Sequence, residues 1–188
     1  PYTTLFRSRF GTGRGPESRS PGPMEEPIRG VPSWRPPFAL PDASMIRDAT
    51  DADLSGILEI YNDVILSSTA VYTDDPVPLS ERRQWLEARR ALGYPVLVAV
   101  DVGRVLGFAS FGDFRAWPGY RHSCEHSVHV RNGCRGAGVG RRLVEELFPR
   151  AEALGKHVML AAVDADNAPS ILFHERLGFE RVGHFREV

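Results

Sequence analysis

The sequence predicts a mixed α/β domain over residues 45–188, preceded by a segment of different composition. Strand-like and helix-like stretches alternate in this domain in the order β-α-α-β-β-β-α-β-α-β, with no internal repeat. The 188-residue chain is 42% hydrophobic and 25% charged, which is typical of a globular protein with one core.

Residues 1–44 are expected to be a disordered tail. They hold 9 of the 15 Pro and 5 of the 18 Gly without a repeating period. Such a segment buries too little apolar surface to offset its chain entropy. Residues 1–8 also resemble a translated sequencing adaptor, so we expect an assembly artefact there and a natural start at Met24 or Met45. A genuine flexible extension is the alternative.

The first half of the domain begins with a strand and two helices. Apolar residues recur at helical spacing in both helices; an aspartate can cap the first, and Gly93 ends the second. A buried strand, a turn at Asp101–Arg104 and a second strand then form a hairpin. These elements are predicted at residues 46–49, 51–65, 79–92, 95–100 and 105–111.

The second half alternates strands with helices. After a loop rich in Trp, Pro and Gly come an apolar strand, a Gly-rich loop and an amphipathic helix that ends at Gly155. A further strand, a helix stopped by Gly178 and a last strand complete the domain. These elements are predicted at residues 124–130, 138–154, 157–163, 167–177 and 179–185.

Charge and composition count against several classes of protein. The 23 Lys and Arg nearly balance the 24 Asp and Glu, which is unlike a strongly basic nucleic-acid binder. No apolar run approaches the roughly 18 residues of a membrane span, and the first residues lack the apolar core of a secretory signal. Two cysteines, Cys124 and Cys134, are too few for a disulfide framework. We therefore expect a cytoplasmic protein that binds neither nucleic acid nor membrane.

The segment Cys134–Arg142 predicts an anion site. Three glycines at alternate positions let the backbone approach a ligand, and the following helix begins with unpaired N–H groups that favour a phosphate or pyrophosphate. The spacing fits neither the dinucleotide fingerprint Gly-x-Gly-x-x-Gly nor a Walker A loop, which needs Gly-Lys-Ser/Thr. From the glycines alone, a turn without a ligand remains an alternative.

The same loop resembles the acetyl-CoA loop of the GNAT superfamily of N-acetyltransferases, Arg/Gln-x-x-Gly-x-Gly/Ala, which here runs Arg135–Gly140. A second superfamily pattern follows at the expected distance, with Asn167, then Leu172-Phe173-His174, then Gly178-Phe179. Residues 112–122, 125–130 and 155–159 are similar to the phosphinothricin and methionine sulfoximine/sulfone N-acetyltransferases. The resemblance covers residues 45–188.

This resemblance implies the GNAT acyl-CoA N-acyltransferase fold, a mixed central sheet with flanking helices. It also implies one further strand between those at 157–163 and 179–186. The domain at 45–188 is accordingly expected to be truncated and to lack its last C-terminal strand. A homodimer is implied by the resemblance alone.

The resemblance further implies acetyl-CoA as co-substrate. The strand at 125–130 is expected to diverge from its neighbour and to pair with the pantetheine through its backbone. Asn167 is expected to bind the pantetheine amide, and it can act as a helix N-cap at the same time. The expected cofactor-binding residues are Val128, His129, Val130, Arg135, Gly136, Ala137, Gly138, Val139, Gly140, Arg141 and Asn167.

Glu125, His174 and Asn167 are the candidate catalytic residues. Glu125 is the only acid on the strand that leads into the Gly-rich loop, and partial burial would raise its pKa and suit it to act as a general base. It can instead be a surface acid paired with Arg115 or Arg121. His174 stands where many superfamily members carry Tyr, and an imidazole with a pKa of about 6.5 can protonate the leaving thiolate. The alternative for His174 is a structural histidine.

The acceptor is expected to carry a carboxylate beside its amine. An arginine can bind a carboxylate with two hydrogen bonds, and a nearby Trp can wall an amino-acid side chain. The alternative is a solvated Arg beside a packing Trp. By resemblance, the acceptor site is lined by Arg115, Ala116 and Trp117 together with Glu125, His126 and Ser127.

Three histidines, His122, His126 and His129, raise the question of a metal site. On a strand the first two share a face and the third points to the other, so one three-ligand site cannot form there. No metal is expected.

The sequence therefore predicts an N-acetyltransferase that transfers the acetyl group of acetyl-CoA to the primary amine of a small amino-acid-like acceptor. The expected acceptors are of the phosphinothricin, methionine sulfoximine or methionine sulfone type. A non-catalytic acyl-CoA-binding or sensing module is the alternative. Glu125 and His174 favour the enzyme, because binding alone needs neither.

Overall fold

The computed structural model of the protein describes residues 2–10 and 45–186. Within these residues the chain forms seven strands, β1 (Tyr2–Arg9), β2 (Met45–Asp48), β3 (Val96–Asp101), β4 (Arg104–Asp113), β5 (Ser123–Val130), β6 (Val158–Asp164) and β7 (Glu180–Arg186). Four α-helices accompany them, α1 (Leu54–Ser67), α2 (Leu79–Ala91), α3 (Val139–Ala153) and α4 (Ala168–Arg176). Across the described residues, none of these helices is long and apolar enough to cross a membrane.

The strands form one mixed sheet in the order β2-β3-β4-β5-β6-β1-β7, with helices on both faces. The apolar residues of α1 and α2 pack on one face, against β3 and β4, and those of α3 and α4 pack on the other. The mixed α/β fold predicted from the sequence is therefore confirmed. Buried members include Ile57, Ile60, Leu86, Val98 and Phe108 on the first face, and Leu143, Leu147, Ile171, Phe111 and Cys124 on the second.

One parallel pair interrupts an otherwise antiparallel sheet. β5 and β6 pair in parallel through three positions, of which Glu125 opposite Leu160 is the last. β5 nevertheless continues to Val130, where it still pairs with β4, and β6 continues to Asp164. Beyond Glu125 the two strands therefore diverge, which opens a gap in the middle of the sheet.

The N-terminal strand β1 corrects the prediction of a disordered tail over residues 1–44. Tyr2–Arg9 pairs antiparallel with both β6 and β7 and fills the sheet position between them. Phe6 is fully buried there, and Thr3 and Thr4 are buried beside it. Residues 11–44, including Met24, lie outside the described residues.

The strand was missed because the composition of residues 1–44 was considered as a whole. The Pro and Gly of residues 1–44 begin to accumulate only after Phe10, whereas Tyr2–Arg9 contains neither and carries aromatic and β-branched residues that favour strands. The position it takes is the one we expected a further C-terminal strand to occupy. In this structure the ladder partners of β6 and β7 thus come from the N-terminal end of the chain.

We expect Phe6→Ala to destabilise the fold by about 3 kcal/mol or more, because it removes a fully buried aromatic ring from the core. Arg9→Ala, at the exposed end of the same strand, is the matched control and should change stability by less than about 0.5 kcal/mol. Urea denaturation measures both variants. Equal stabilities would show that β1 is not part of the folded sheet.

Candidate active site

The gap between β5 and β6 contains a cavity of about 100 Å³. Its walls are the diverging ends of the two strands, the start of α4 and the segment that follows α1. Because β5 and β6 no longer pair here, the backbone of Ser127–Val130 can offer hydrogen bonds to an extended ligand. The cavity is lined in part by His126, Ser127, Val128 and His129 from β5, Val163 and Asp164 from β6, and Asn167, Ser170 and His174 from the α4 region.

The Gly-rich loop lies between β5 and α3, as predicted. Gly136 and Gly138 adopt left-handed backbone angles, with φ of 79° and 85°, which side chains rarely tolerate. Gly138 is the N-cap of α3, and a Cβ placed on it would meet no atom within 4 Å. The 15-residue helix α3 therefore begins beside open space, and the N–H groups of a helix's first turn have no partner within the helix.

Basic side chains surround this loop. Arg135 and Arg141 are exposed, and the Arg141 Nε atom donates to Glu145 Oε1 over 2.7 Å one turn along the helix. Arg135 lies close enough to His129 to help lower the pKa of that histidine. Positive charge, N–H groups and the helix dipole thus favour the same kind of ligand, an anion.

Asn167 is the N-cap of α4. Its Oδ1 atom accepts a hydrogen bond from the Ser170 N–H over 3.1 Å. Because the residue also lines the cavity, its Nδ2 amide group can donate to a ligand while Oδ1 caps the helix. Asn167 can therefore act as a helix N-cap and bind a ligand amide at the same time.

His126 and His174 form a buried pair beside the cavity, with ring centroids 5.3 Å apart. The His174 Nδ1 atom lies 2.7 Å from the Ser170 carbonyl, so Nδ1 carries the proton and donates it. Within the described residues, His174 Nε2 and both ring nitrogens of His126 have no hydrogen-bond partner. Such buried polar atoms are uncommon in folded proteins and point to a ligand or water in the cavity.

Burial keeps this pair neutral. It lowers the pKa of His126 to about 3, assisted by the nearby His174, and it also lowers the pKa of His174 against the opposing effect of Ser170. At neutral pH, the Nε2 atom of His174 therefore carries no proton and can act as an acceptor. Phe6 of β1 stacks on its ring at 5.5 Å and contributes to this burial.

Glu125 occupies the last paired position before the strands diverge. Burial raises the pKa of its carboxyl group, and the positive charge of Arg115 acts in the opposite direction. The sequence prediction placed a partly buried base here, and the structure gives the residue such an environment. Glu125 and His126 point to opposite faces of the sheet, because they are consecutive residues of one strand.

The loop that carries Arg115, Ala116 and Trp117 lies near Glu125 but not in the cavity. Trp117 is 74% exposed, so it does not pack against the core. The Arg115 guanidinium lies 4.2 Å from the Phe114 ring centroid and donates to the Phe114 carbonyl. Of the predicted acceptor residues, the structure thus brings Arg115 near Glu125 and leaves Ala116 and Trp117 exposed on the surface.

The three histidines considered for a metal lie in three different environments. His122 bonds the Gly155 carbonyl and stacks on His157. His126 contacts His174, whereas His129 packs between the rings of Tyr61 and Phe108. Burial lowers the pKa of His129 to about 4, with a contribution from the charge of Arg82.

Two parts of the site were not predicted from the sequence. The segment Thr69–Tyr72 closes one side of the cavity; Thr69 bonds Asp164, and the Tyr72 hydroxyl lies 2.9 Å from Thr3 Oγ1 of β1. Arg82 is buried against Tyr61 and Trp85 while bonded to Glu81. Thr69–Tyr72 is placed by Thr3 and Asp164, and Arg82 by Tyr61 as well as by its neighbours Glu81 and Trp85, so the local sequence did not indicate either.

We expect the free energy of unfolding to fall as the pH decreases from about 6.5 toward about 3. Over this range the unfolded chain binds protons that buried His126 does not, at a maximal slope of about 1.4 kcal/mol per pH unit per histidine. His126→Leu should flatten the dependence. Phe179→Leu disturbs the same cluster without removing a titrating group and should keep the slope. Denaturation curves at several pH values measure how the free energy of unfolding depends on pH. An unchanged slope in His126→Leu would show that His126 is not the source of this dependence.

Comparisons with known proteins agree with this geometry. Residues 57–179 match the Acetyltransferase (GNAT) family. An L-methionine sulfoximine/L-methionine sulfone acetyltransferase of Pseudomonas paraeruginosa is 50% identical over 147 residues, 78% of this chain and 86% of the relative. A phosphinothricin N-acetyltransferase of Streptomyces coelicolor is 33% identical over 146 residues, 76% of this chain and 85% of the relative.

A solved structure shares the same fold. The GNAT superfamily phosphinothricin acetyltransferase of Sinorhizobium meliloti, in complex with acetyl-CoA, superposes with a TM-score of 0.71 at 37% identity, covering 74% of this chain and 76% of that one. Family, relatives and fold lead to one conclusion. The chain belongs to the GNAT family of N-acetyltransferases, whose co-substrate is acetyl-CoA.

Proposed function

We propose that this enzyme transfers an acetyl group from acetyl-CoA to the primary amine of a small amino-acid-like acceptor of the methionine sulfone, methionine sulfoximine or phosphinothricin type. The observation that carries the proposal is the placement of Glu125 where β5 leaves β6, between the Gly-rich loop and the loop that carries Arg115. The relatives that act on such acceptors cover most of the chain.

The cofactor would lie along the diverging edge of β5 and across the start of α3. The pyrophosphate suits the N–H groups of Gly136–Arg141, with charge from Arg135 and Arg141. The pantetheine suits the backbone of Val128–Val130 and the amide of Asn167. The side chains of Val128 and Val130 pack against the core, so only their backbone faces the gap.

The chemistry requires two proton acceptors. The acceptor arrives as an ammonium ion and must lose one proton before its nitrogen attacks the thioester carbonyl, which forms the C–N bond and breaks the C–S bond. Glu125 takes this first proton, directly or through a water, and releases it to solvent. The nitrogen loses its second proton as the amide forms, and the departing thiolate needs a proton to become the thiol of CoA.

His174 suits that second transfer. The residue lines the cavity and its buried Nε2 atom has no partner among the described residues, so we assign to it the second proton, which it returns to the departing sulfur. A neutral histidine must be protonated before it can act as the general acid that the sequence predicted. The low pKa of His174 makes its protonated form a strong donor.

Arg115 is the proposed partner of the acceptor carboxylate. It is exposed on a loop and close enough to influence Glu125, so one small molecule can reach both groups. Ala116, Trp117 and Ser127 complete the acceptor site that we propose. The side chain of His126, which the resemblance also implied there, is buried on the other face of the sheet against His174. The homodimer implied by the resemblance stays a prediction.

A non-catalytic acyl-CoA-binding module is the competing function. Binding of acetyl-CoA alone would need the Gly-rich loop and the β5 edge. It would give no reason for a carboxylate with a raised pKa at the end of the β5–β6 pairing. A thiol-release assay with acetyl-CoA and methionine sulfone separates the two, since a binding module releases no CoA.

Gly138→Asp should weaken acetyl-CoA binding at least about tenfold, because it places a negative charge beside the proposed pyrophosphate site. Gly138→Ala is the matched control, since it imposes the same strain at a φ of 85° without the charge. Calorimetry measures both affinities. If the two variants bind acetyl-CoA equally, the pyrophosphate does not lie at this helix start.

Glu125→Gln should lower kcat by about 10²- to 10⁴-fold, abolish the acid limb of the pH profile, and leave acetyl-CoA binding nearly unchanged.

The same substitution should not lower the stability of the fold. A carboxyl group with a raised pKa stabilises the fold when protonated, and that contribution is lost as the pH rises through the raised value. Glu125→Gln is therefore expected to melt at the same temperature as wild type or higher at pH 7. Turnover within twofold of wild type would exclude Glu125 as the base.

A further inference from the structure

The chain contains a single lysine, Lys156, and that lysine is buried. It lies in the connection between α3 and β6. Its Nζ atom donates to Asp113 Oδ1 over 2.5 Å and to the carbonyl of Arg121 over 2.8 Å. Burying an ammonium group costs free energy unless hydrogen-bond acceptors compensate for the lost water, and Asp113 and Arg121 supply such acceptors here.

The two partners of Lys156 are the two ends of one loop. Asp113 is the last residue of β4, Arg121 comes shortly before β5, and the loop between them carries Arg115. One ammonium group therefore ties both ends of the loop to the base of β6. The Asp113 carboxylate also accepts a hydrogen bond from Tyr94, and these contacts hold its pKa below the usual value.

The residues around Lys156 bind the same end of the loop. The carbonyl of His122 accepts hydrogen bonds from the N–H groups of His157 and Val158, over 2.8 and 3.2 Å. The His122 ring bonds the Gly155 carbonyl and stacks on His157 at 4.5 Å. The α3–β6 connection thus fixes where the loop returns to the sheet.

The anchored loop end lies beside the proposed base. Asp113 pairs with Cys124 in the β4–β5 ladder, and Glu125 is the next residue. Arg115 lies two residues beyond Asp113, so any movement of the loop base changes the distance between Arg115 and Glu125.

We propose that Lys156 is a positioning residue for the acceptor site, which holds the loop of residues 114–122 so that Arg115 and Glu125 engage one acceptor molecule. This inference rests on the proposed function, because that function assigns the acceptor to this loop. Lys156 touches neither substrate; it acts through Asp113 and Arg121.

A positioning role can be separated from a purely structural one. The Asp113 carboxylate is half exposed, so water can solvate it when Lys156 is replaced by an apolar residue, and no buried charge is left without a partner. Lys156→Met keeps the length and apolar stem of the side chain and removes the charge. The loop should lose its anchor while the core on either side stays intact.

The first measurement is steady-state kinetics of the full chain with methionine sulfone and acetyl-CoA. Lys156→Met should raise the KM for methionine sulfone about tenfold and leave the KM for acetyl-CoA within about twofold, since only the acceptor loop moves. Lys156→Arg, which keeps the charge, should recover part of the loss. Arg150→Met removes a comparable ion pair with Asp48 outside the site and should change neither KM. Equal changes in both KM values would overturn the proposal.

The second measurement needs no activity. Trypsin can cut the loop after Arg115 and after Arg121, and mass spectrometry reports each cut separately. Lys156→Met removes the one tryptic site at a lysine, so the comparison uses the arginines alone: the two cuts in the loop should accelerate severalfold while cleavage at arginines outside the loop stays unchanged. An unchanged rate at both sites would overturn the proposal. Absence of CoA release by wild type would instead refute the proposed function, while the proteolysis still decides whether Lys156 anchors the loop.

Discussion

The divergence of β5 from β6 after Glu125 is the constraint on which the rest of the site depends. A parallel pair that stops after three positions leaves backbone N–H and C=O groups in the middle of a sheet, where they need partners. The gap admits a ligand that can supply them, and it gives that ligand access to both faces. The Gly-rich loop follows at the end of the same strand, so consecutive segments of chain are available for the extended and the anionic parts of acetyl-CoA that we propose they bind.

The sheet distributes its ionisable groups between its two faces. Glu125 is on one face with Arg115, and the His126–His174 pair is on the other with Phe6 and Phe179. Burial shifts the pKa values in opposite directions, upward for the carboxyl group and downward for the imidazoles, and both shifts favour uncharged forms. Glu125 and His174 are thereby placed on opposite sides of one gap.

What the sequence could predict was local. Glycine spacing predicted a Gly-rich turn at the start of α3, and the pattern after Asn167 predicted the helix cap there, because each depends on a few consecutive residues. Strand β1 was missed because its pairing partners lie about 150 residues away or more, and its own pattern was averaged into a Pro- and Gly-rich segment. The orphaned nitrogens of His126 and His174 likewise arise only when β5 meets α4. Residue types at short spacing predicted the chemistry, whereas the walls of the cavity required the tertiary structure.

The position of β1 has a consequence for how the chain acquires its fold. β1 is synthesised before the other described strands of the sheet, whereas β6 and β7, which flank it, follow all the others. Because its ladder pairs join residues about 150 positions apart or more, closing this loop costs entropy before the contacts form, and this half of the sheet contributes high contact order and slow folding. The Phe6 ring stays exposed on the ribosome until β7 has emerged. During that interval the apolar edge is open to chaperones and to pairing with other nascent chains.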